Sequence, residues 1–282
     1  MNPIAKRMLE INTQFWNEDS PEEQWRKLLT GSDPRVGSGR RVLKRIPSDP
    51  RCRFCNAPFH GPGAPLMRLI GRSPSSLNPL FCGICLDEAP VGGAEIELSM
   101  LFADIRGSTS LAESMSPMRF SKLIDRFFST ATTVLIDTNA LINRLVGDQV
   151  IALYIPGFAG LDHAAIAVNA AKVLLEATGH ANSEGPWIPV GVGIQTGVAF
   201  VGKVGQSGMT DITVLGDGAN VAARLSSQAR AGEILISGAT YVAAGLAGSM
   251  LESRTLELKG KSEPMEVWSQ QVSGSAAPFV SV

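Results

Sequence analysis

The sequence predicts an α/β or α+β fold with helices packed on a single sheet, preceded by a smaller and physically separate N-terminal region. Strand-like and helix-like segments alternate from about residue 95 onwards, which is typical of a sheet covered by helices. Residues 35–72 contain nine basic residues and one acid, whereas the whole chain of 282 residues has a net charge of −1. Four cysteines, all within residues 52–85, form two Cys-x2-Cys pairs. The charge asymmetry and the cysteines therefore mark the N-terminal third as a distinct module.

The overall composition excludes several classes of protein. Hydrophobic residues make up 44% of the chain and charged residues 18%, which predicts a folded globular protein rather than a disordered one. No apolar run approaches the 18 residues that a membrane span needs, and the N-terminus lacks the apolar core of a signal peptide. The near-zero net charge argues against a protein that coats nucleic acid. We therefore expect a cytoplasmic protein with no membrane partner, and nucleic acid is not an expected partner.

The N-terminal region is predicted to begin with a helical segment over residues 1–48. Ser20-Pro21 is a good helix start and Gly31 a good helix stop. A four-cysteine module follows over 49–90, and Pro and Gly in 58–79 predict loops and turns rather than helix. Pro90-Val91-Gly92-Gly93 reads as the linker.

The second domain is predicted over residues 95–270, with a flexible tail over 271–282. Helices are expected to begin near Ser116, Asp162 and Asp217. Gly147-Asp148 predicts a hairpin turn. Strands are predicted over 95–103, 140–146, 150–155, 188–194, 198–204, 211–215, 233–236, 251–258 and 264–271.

Two aspartates of this domain are candidates for a metal site. Asp104 ends the first apolar strand, and Asp148 occupies the predicted hairpin turn. If that strand lies beside the hairpin, the two carboxylates converge at one edge of the sheet. Hard oxygen ligands of this kind suit Mg²⁺ or Mn²⁺, which leave coordination positions for substrate phosphates. The alternative is that each aspartate merely caps a turn.

Asn220 and Arg224 are candidates for contacts to a nucleotide. They lie four residues apart on the helix that follows Gly216-Asp217-Gly218, and so share one helix face. An amide and a guanidinium suit a sugar hydroxyl and a phosphate. The alternative is an ordinary solvated helix surface.

Taken together, five blocks of sequence resemble the class III nucleotidyl cyclase catalytic domain. They are Phe102-Ala103-Asp104-Ile105-Arg106-Gly107-Ser108-Thr109, Val146-Gly147-Asp148, Val192-Gly193-Ile194-Gln195-Thr196-Gly197, Asn220-Val221-Ala222-Ala223-Arg224 and Leu258-Lys259-Gly260-Lys261. The resemblance covers residues from about 95 to 270. It implies an α+β fold with a ferredoxin-like βαββαβ core, an antiparallel sheet with helices packed on it, and two such domains paired head to tail with ATP between them.

The resemblance also implies a role for each candidate residue. Asp104 and Asp148, assisted by the Ile105 carbonyl, would bind two Mg²⁺ or Mn²⁺ ions. Asn220 would orient the ribose and Arg224 would stabilise the transferring α-phosphate. The remaining substrate contacts would be Lys259 to the terminal phosphates, and Arg144 and Thr213 to the purine. The implied protein is a homodimeric adenylate cyclase that converts ATP to 3′,5′-cyclic AMP and pyrophosphate, without a protein nucleophile.

The sequence departs from the family pattern at three positions. The purine position that is commonly Lys is Arg144, and its partner, often Asp, is Thr213, as is typical of the subgroup labelled class IIIb. Gly191 stands where many members carry a phosphate-binding Arg. These departures leave open a catalytically inactive nucleotide-binding dimer. A Walker A-like match over Gly197, Gly202 and Lys203 is rejected, because Val204 replaces the required Ser or Thr.

The four cysteines predict a metal site by their spacing alone. Cys52 and Cys55 are separated from Cys82 and Cys85 by 26 residues, as in a four-thiolate centre with wide knuckle spacing. Zinc is expected, with an iron–sulfur cluster as the alternative. Few large apolar residues lie in 52–85, so the segment is expected to bury no core of its own and to need the metal for order.

The basic residues near these cysteines admit two interpretations. The expected offset of the −2 charge of a zinc–tetrathiolate comes from Arg51, Arg53, Arg68 and Arg72. The alternative interpretation of the same basic segment is a zinc-ribbon nucleic-acid binder with a cyclase-like dimerisation domain.

Overall fold

The computed structural model describes residues 19–32, 40–46, 50–206, 209–257 and 263–273. The chain divides into two compact units. The N-terminal unit contains Met1–Ile96 together with Ile155–Gly160 and Ala199–Leu215. The core unit contains Glu97–Tyr154, Leu161–Val198 and Gly216–Val282.

The described elements alternate as the sequence pattern predicts. The helices are α1 (Pro21–Thr30), α2 (Ala64–Leu69), α3 (Gly83–Leu86), α4 (Ser108–Ser114), α5 (Pro117–Asp137), α6 (Pro156–Ala159), α7 (His163–Ala177), α8 (Asp217–Gln228) and α9 (Gly238–Ala243). The strands are β1 (Gly92–Ile105), β2 (Leu141–Val146), β3 (Gln149–Tyr154), β4 (Val190–Gln206), β5 (Met209–Leu215), β6 (Glu233–Ser237), β7 (Glu252–Leu256) and β8 (Met265–Gln271). No helix in these described ranges is long and apolar enough to cross a membrane.

The strands form one sheet, which confirms the predicted α+β class. Their order is β2-β3-β1-β4-β6-β8-β7, with β5 paired to β4. β1–β3, β2–β3, β4–β5, β6–β8 and β7–β8 are antiparallel. β4 and β6 run parallel, so the sheet is mixed rather than wholly antiparallel.

Two long helices of the core unit, α5 and α8, each bury one face. In α5 the buried residues Phe127, Ala131 and Leu135 recur every four positions, which places them on one side of the helix. In α8, Val221 and Leu225 pack in a cluster with Leu235 of β6. This packing fixes the position of α8, and with it the positions of the polar residues Asn220 and Arg224 on the same helix.

The N-terminal unit has an apolar core of its own, so the expectation that residues 52–85 bury none is wrong. The buried residues in this segment include Phe54, Phe59, Met67, Phe81 and Ile84, and Leu86 directly follows it. They add to buried Trp25 of α1, whose ring lies edge-on to Phe54 at 6.1 Å between centroids. Phe158 of α6 contacts Phe54 in the same way at 5.0 Å. The large side chains that complete this core come from outside the cysteine segment, where sequence spacing cannot reveal them.

Three predicted element boundaries are corrected. The strands predicted over 188–194 and 198–204 are parts of a single strand, β4, which begins at Val190 and runs through Gly197. β1 begins at Gly92, within the predicted linker. A six-residue helix, α2, lies within 58–79, where only loops and turns were expected.

Candidate active site and metal centre

The two candidate metal-binding aspartates lie beside each other at the end of β1. Asp104 pairs across the sheet with Gln149 at the start of β3. The next residue, Ile105, donates its amide to the Asp148 carbonyl at 3.2 Å. Burial raises the pKa of the Asp104 carboxyl, and the nearby Asp148 charge raises it further against the lowering influence of Arg106. The site therefore concentrates negative charge where a cation would relieve it.

Arg106 is a residue of this site that the sequence reasoning did not single out. Its guanidinium forms an ion pair with the Asp104 carboxylate and donates to the Ser227 carbonyl at 2.6 Å. Its own amide donates to the Pro189 carbonyl at 2.8 Å. Arg106 therefore joins the end of β1 to the C-terminal turn of α8. Only the alternation of Asp104 and Arg106 along the strand could have suggested this pairing.

Asn220 and Arg224 lie one turn apart on α8, as their spacing predicts. Asn220 is exposed and Arg224 is half-buried. The Nη1 atom of Arg224 is buried and has no hydrogen-bond partner within the described ranges. Among those same ranges, no hydrogen bond or ion pair joins either residue to Asp104 or Asp148. Within one copy of the chain, the structure thus brings the two aspartates together, whereas neither residue of the α8 pair is bonded to them among the described residues.

The remaining predicted substrate contacts are placed as follows. Arg144 lies on β2 opposite Ile151, next to a register shift. Thr213 lies on β5 opposite Gly202 and is half-buried. Lys259 lies outside the described residues. At Gly191, a Cβ atom would lie 2.7 Å from the Ala229 carbonyl oxygen, so this backbone excludes any side chain at the position.

The four cysteines come together in one buried cluster within the N-terminal unit. The Sγ atoms of Cys52, Cys55, Cys82 and Cys85 all lie within 4.8 Å of one another. The Cys55 and Cys82 sulfurs are 3.8 Å apart, and the Cys82 amide donates to the Cys52 sulfur at 3.2 Å. Sulfurs at tetrahedral corners around zinc, with Zn–S distances near 2.3 Å, lie about 3.8 Å apart. The donor set and its spacing therefore fit a tetrahedral four-thiolate metal site.

Two guanidinium groups accompany this cluster. Arg72 donates from Nη1 to the Cys55 sulfur at 3.2 Å, with the Cys82 and Cys85 sulfurs at 3.9 and 4.0 Å. Arg40 is 1% exposed and donates to the carbonyls of Arg53 and Phe54. Burial lowers the pKa of Arg40 to about 10, although the nearby cysteine charges act in the opposite direction. Two positive charges therefore accompany a centre that carries −2 when four thiolates hold one Zn²⁺.

The other arginines expected to offset that charge have different partners, which corrects the prediction. Arg51 donates to the Ile46 carbonyl at 2.7 Å. Arg53 interacts with Asp211, and exposed Arg68 contacts the Phe59 carbonyl at 3.5 Å. Arg40, which sequence reasoning did not select, is the second cation of the cluster. Its burial against Phe158, a contact distant in sequence, hid this role.

Without a cation, the thiols of this cluster cannot all ionise together. Hydrogen bonds with the other cysteines, followed by the charge of Arg72, hold the pKa of Cys55 well below its usual value. Hydrogen bonds with Cys52 and Cys55, followed by burial, raise the pKa of Cys82 and Cys85 well above theirs. A bound divalent cation is the partner that would allow four thiolates to share one buried site.

Comparisons with known proteins identify a family for the greater part of the chain. Residues 94–271 match the adenylate and guanylate cyclase catalytic domain family. An adenylate cyclase of Anabaena cylindrica is 30% identical over 150 residues, which are 50% of this chain and 29% of that protein. An uncharacterized protein of Mycobacterium tuberculosis is 28% identical over 188 residues, 64% of this chain and 34% of that protein. The chain thus spans about a third of the length of these relatives.

Two solved structures share this fold over nearly their whole length. The guanylyl cyclase Cya2 is 27% identical, with a TM-score of 0.58 over 67% of this chain and 98% of that one. The adenylyl cyclase CyaB from P. aeruginosa is 27% identical, with a TM-score of 0.55 over 62% of this chain and 93% of that one. The family match covers more than half of the chain and leaves out the four cysteines. The chain belongs to the adenylate and guanylate cyclase catalytic domain family.

Proposed function

We propose that this chain is an adenylate cyclase that converts ATP to 3′,5′-cyclic AMP and pyrophosphate. The observation that carries the proposal is the convergence of Asp104 and Asp148 at one sheet edge, in a chain of the cyclase family. The attacking 3′-hydroxyl forms a bond to the α-phosphorus while the bond to the bridging oxygen of pyrophosphate breaks. Such a reaction is catalysed by positioning and by charge.

The residues at the end of β1 fit two Mg²⁺ or Mn²⁺ ions. Asp104, Asp148 and the Ile105 carbonyl supply only hard oxygen ligands. Burial raises the pKa of Asp104, and the Asp148 charge adds to this against the lowering effect of Arg106. When bound, such ions would supply Lewis-acid activation of the hydroxyl and neutralise the triphosphate. Arg106 holds the Asp104 carboxylate at the strand end.

The residues of α8 bind the other parts of the nucleotide in this proposal. Asn220, exposed on α8, orients the ribose. Arg224 stabilises the negative charge that develops on the α-phosphate. Its buried Nη1 atom has no hydrogen-bond partner among the described residues, so it can donate to that phosphate. Lys259 holds the terminal phosphates. We place each active site across a homodimer, as in paired cyclase domains, with Asn220 and Arg224 of one copy facing Asp104 and Asp148 of the other.

Two residues set the choice of base. Arg144 supplies only donors, whereas the Thr213 hydroxyl can accept, so the pair satisfies the ring nitrogen and amino group of adenine. Guanine would find no carboxylate for its N1–H and amino group. The similarity to adenylate cyclase of Anabaena cylindrica supports ATP. The similarity to the guanylyl cyclase Cya2 makes GTP the second candidate substrate.

The four cysteines bind one zinc ion per chain in this proposal, and they stabilise or regulate the cyclase. A colourless protein with one zinc is the expected result, whereas visible absorbance with iron and sulfide would replace zinc by a cluster. A nucleic-acid role gains no support from the basic segment. Arg40, Arg51 and Arg72 donate to carbonyls and sulfurs of the same unit.

The test is cyclic AMP formation by Asp104→Asn and Asp148→Asn variants with Mn²⁺. Each substitution removes a ligand charge but keeps the side-chain shape, so we expect the rate to fall at least about a hundredfold. Asp125→Asn, on the exposed face of α5, is the matched control and should retain full activity. Near-normal rates in either site variant would contradict the metal assignment. A wild-type protein that binds ATP but forms no product would be the inactive alternative.

A further inference from the structure

The β4–β5 hairpin belongs to the same compact unit as the four cysteines. Residues 199–215, which form this hairpin, cluster with Met1–Ile96. The hairpin ladder runs from Phe200 opposite Leu215 to Gln206 opposite Met209. Thr213, which the proposed function assigns to the purine, lies on this hairpin. Whatever fixes the hairpin therefore acts on a substrate-contacting residue.

Lys203 connects the hairpin to the cysteine cluster. Its side chain lies on β4 and is only 8% exposed. Its Nζ donates to the Ala89 carbonyl at 2.9 Å and to the Asp87 carbonyl at 3.3 Å. Those carbonyls directly follow α3, which contains Cys85 and begins after Cys82. The lysine of the rejected Walker A match therefore binds the backbone that directly follows the second cysteine pair.

Contacts from both cysteine pairs reach the other strand of the hairpin. Asn78, four residues before Cys82, approaches Asp211 of β5 with 3.5 Å between Nδ2 and Oδ1. Arg53, between the first two cysteines, interacts electrostatically with the same carboxylate. Gly202 packs so tightly against the backbone of Gly92 and Gly93 that no Cβ fits there. The hairpin is therefore held on several sides by the chain around the cysteines.

The segments that hold Lys203 have little stability of their own. α3 has only four residues, far fewer than an isolated helix needs in water. Its position rests on the buried side chains of Ile84 and Leu86 as well as on the fully buried sulfurs of Cys82 and Cys85. A metal that joins these sulfurs to Cys52 and Cys55 would tie α3 to the first knuckle, whereas its loss would leave four crowded thiols with no common ligand.

From this connection we propose that metal bound by the four cysteines fixes the β4–β5 hairpin, so that cyclase activity depends on occupancy of the cysteine centre. The hairpin part of the proposal stands on the contacts alone, and the activity part rests on the proposed function. Loss of zinc frees the carbonyls that accept from Lys203, the hairpin opens locally, and Thr213 loses its fixed position. The centre then acts as a switch as well as a structural cross-link.

The first test is hydrogen exchange of the full chain, without nucleotide, before and after zinc removal by a zinc-selective chelator. Amides of 199–215 should exchange at least about tenfold faster in the zinc-free protein, because local opening becomes easier. Amides of the β2–β3 hairpin, residues 141–154, should be unchanged and serve as the internal control. Equal exchange of 199–215 in both states overturns the proposal, as does faster exchange throughout the chain, which would indicate a purely global effect.

Variants at Lys203 separate the connection from the metal itself. Lys203→Met should retain one zinc per chain but show the fast hairpin exchange, whereas Lys203→Arg should resemble the wild type. Lys122→Met, on exposed α5, is the matched control. Slow hairpin exchange in a zinc-loaded Lys203→Met variant would refute the assigned contact, and if that variant does not fold, the chelator experiment still decides.

Activity provides the second readout. Zinc removal should lower cyclic nucleotide formation at least about tenfold, and returned zinc should restore it. An active enzyme whose rate ignores zinc overturns the switch but leaves the proposed function intact. Metal-dependent hairpin exchange in a protein that makes no cyclic nucleotide in any state refutes the proposed function instead, and with it the activity part of the switch.

Discussion

Replacement of Arg72 by methionine should weaken zinc binding by the four cysteines about ten- to a hundredfold. The structure gives one close N–H···S contact, 3.2 Å from Nη1 to the Cys55 sulfur, and two longer ones near 4 Å. A hydrogen bond to a charged group contributes about 1.5–3 kcal/mol, and about 1.4 kcal/mol corresponds to a tenfold change in affinity. Methionine keeps most of the apolar stem, so the loss reports the guanidinium.

A competition titration with a zinc chelator of known affinity measures this effect. Arg68→Met is the matched control, because the Arg68 side chain is exposed and contacts a carbonyl instead of a cysteine. Arg72→Lys should give an intermediate loss, since lysine keeps the charge but not the planar fork. An Arg72→Met affinity within about twofold of the wild type would refute the charge argument for this centre.

Three further predictions concern the core unit. Asp148→Ala mixed with Arg224→Ala should regain about a quarter of wild-type cyclase activity when chains exchange, because half of the dimers are mixed and each has one intact site; no recovery despite exchange would place the site within one chain. Glu233→Gln should lower the free energy of unfolding by about 2 kcal/mol at pH 7 in denaturant titrations, because Arg254 and Ser269 lose a buried charged partner. Burial raises the pKa of Glu233, but these donors and the Arg230 amide outweigh it and leave the pKa low. The difference should therefore vanish as the pH falls through that lowered pKa, and a difference that persists in acid would contradict the ion pair.

Local signals predicted the elements whose causes are local. α1 begins and ends as expected because the Ser20 hydroxyl accepts from the Glu23 amide, and Gly31 adopts a left-handed conformation with φ of 80°. The cysteine cluster was predictable for a similar reason, because two Cys-x2-Cys pairs are typical of a four-thiolate metal site. The alternation of strands and helices left α/β and α+β folds open, and the resemblance to the cyclase family supplied the α+β class.

Features that depend on contacts distant in sequence could not be predicted in this way. β4 continues through Gly197, between the stretch that pairs with β6 and the stretch that pairs with β5, and no residue near Gly197 signals this. Arg40 reaches the cysteine cluster through burial against Phe158, with 4.7 Å from its guanidinium carbon to the ring centre. The assignment of Lys203 to the carbonyls after α3 spans more than a hundred residues. Each depends on tertiary packing, which periodicity and spacing do not encode.

The most direct measurement of the central claim is the product that the purified, zinc-loaded protein forms from an equal mixture of ATP and GTP with Mn²⁺. Mass spectrometry identifies both cyclic nucleotides in one reaction. We expect cyclic AMP in clear excess over cyclic GMP, together with stoichiometric pyrophosphate. A preference for cyclic GMP would contradict the roles of Arg144 and Thr213, and the absence of any cyclic nucleotide would contradict the proposed catalytic function.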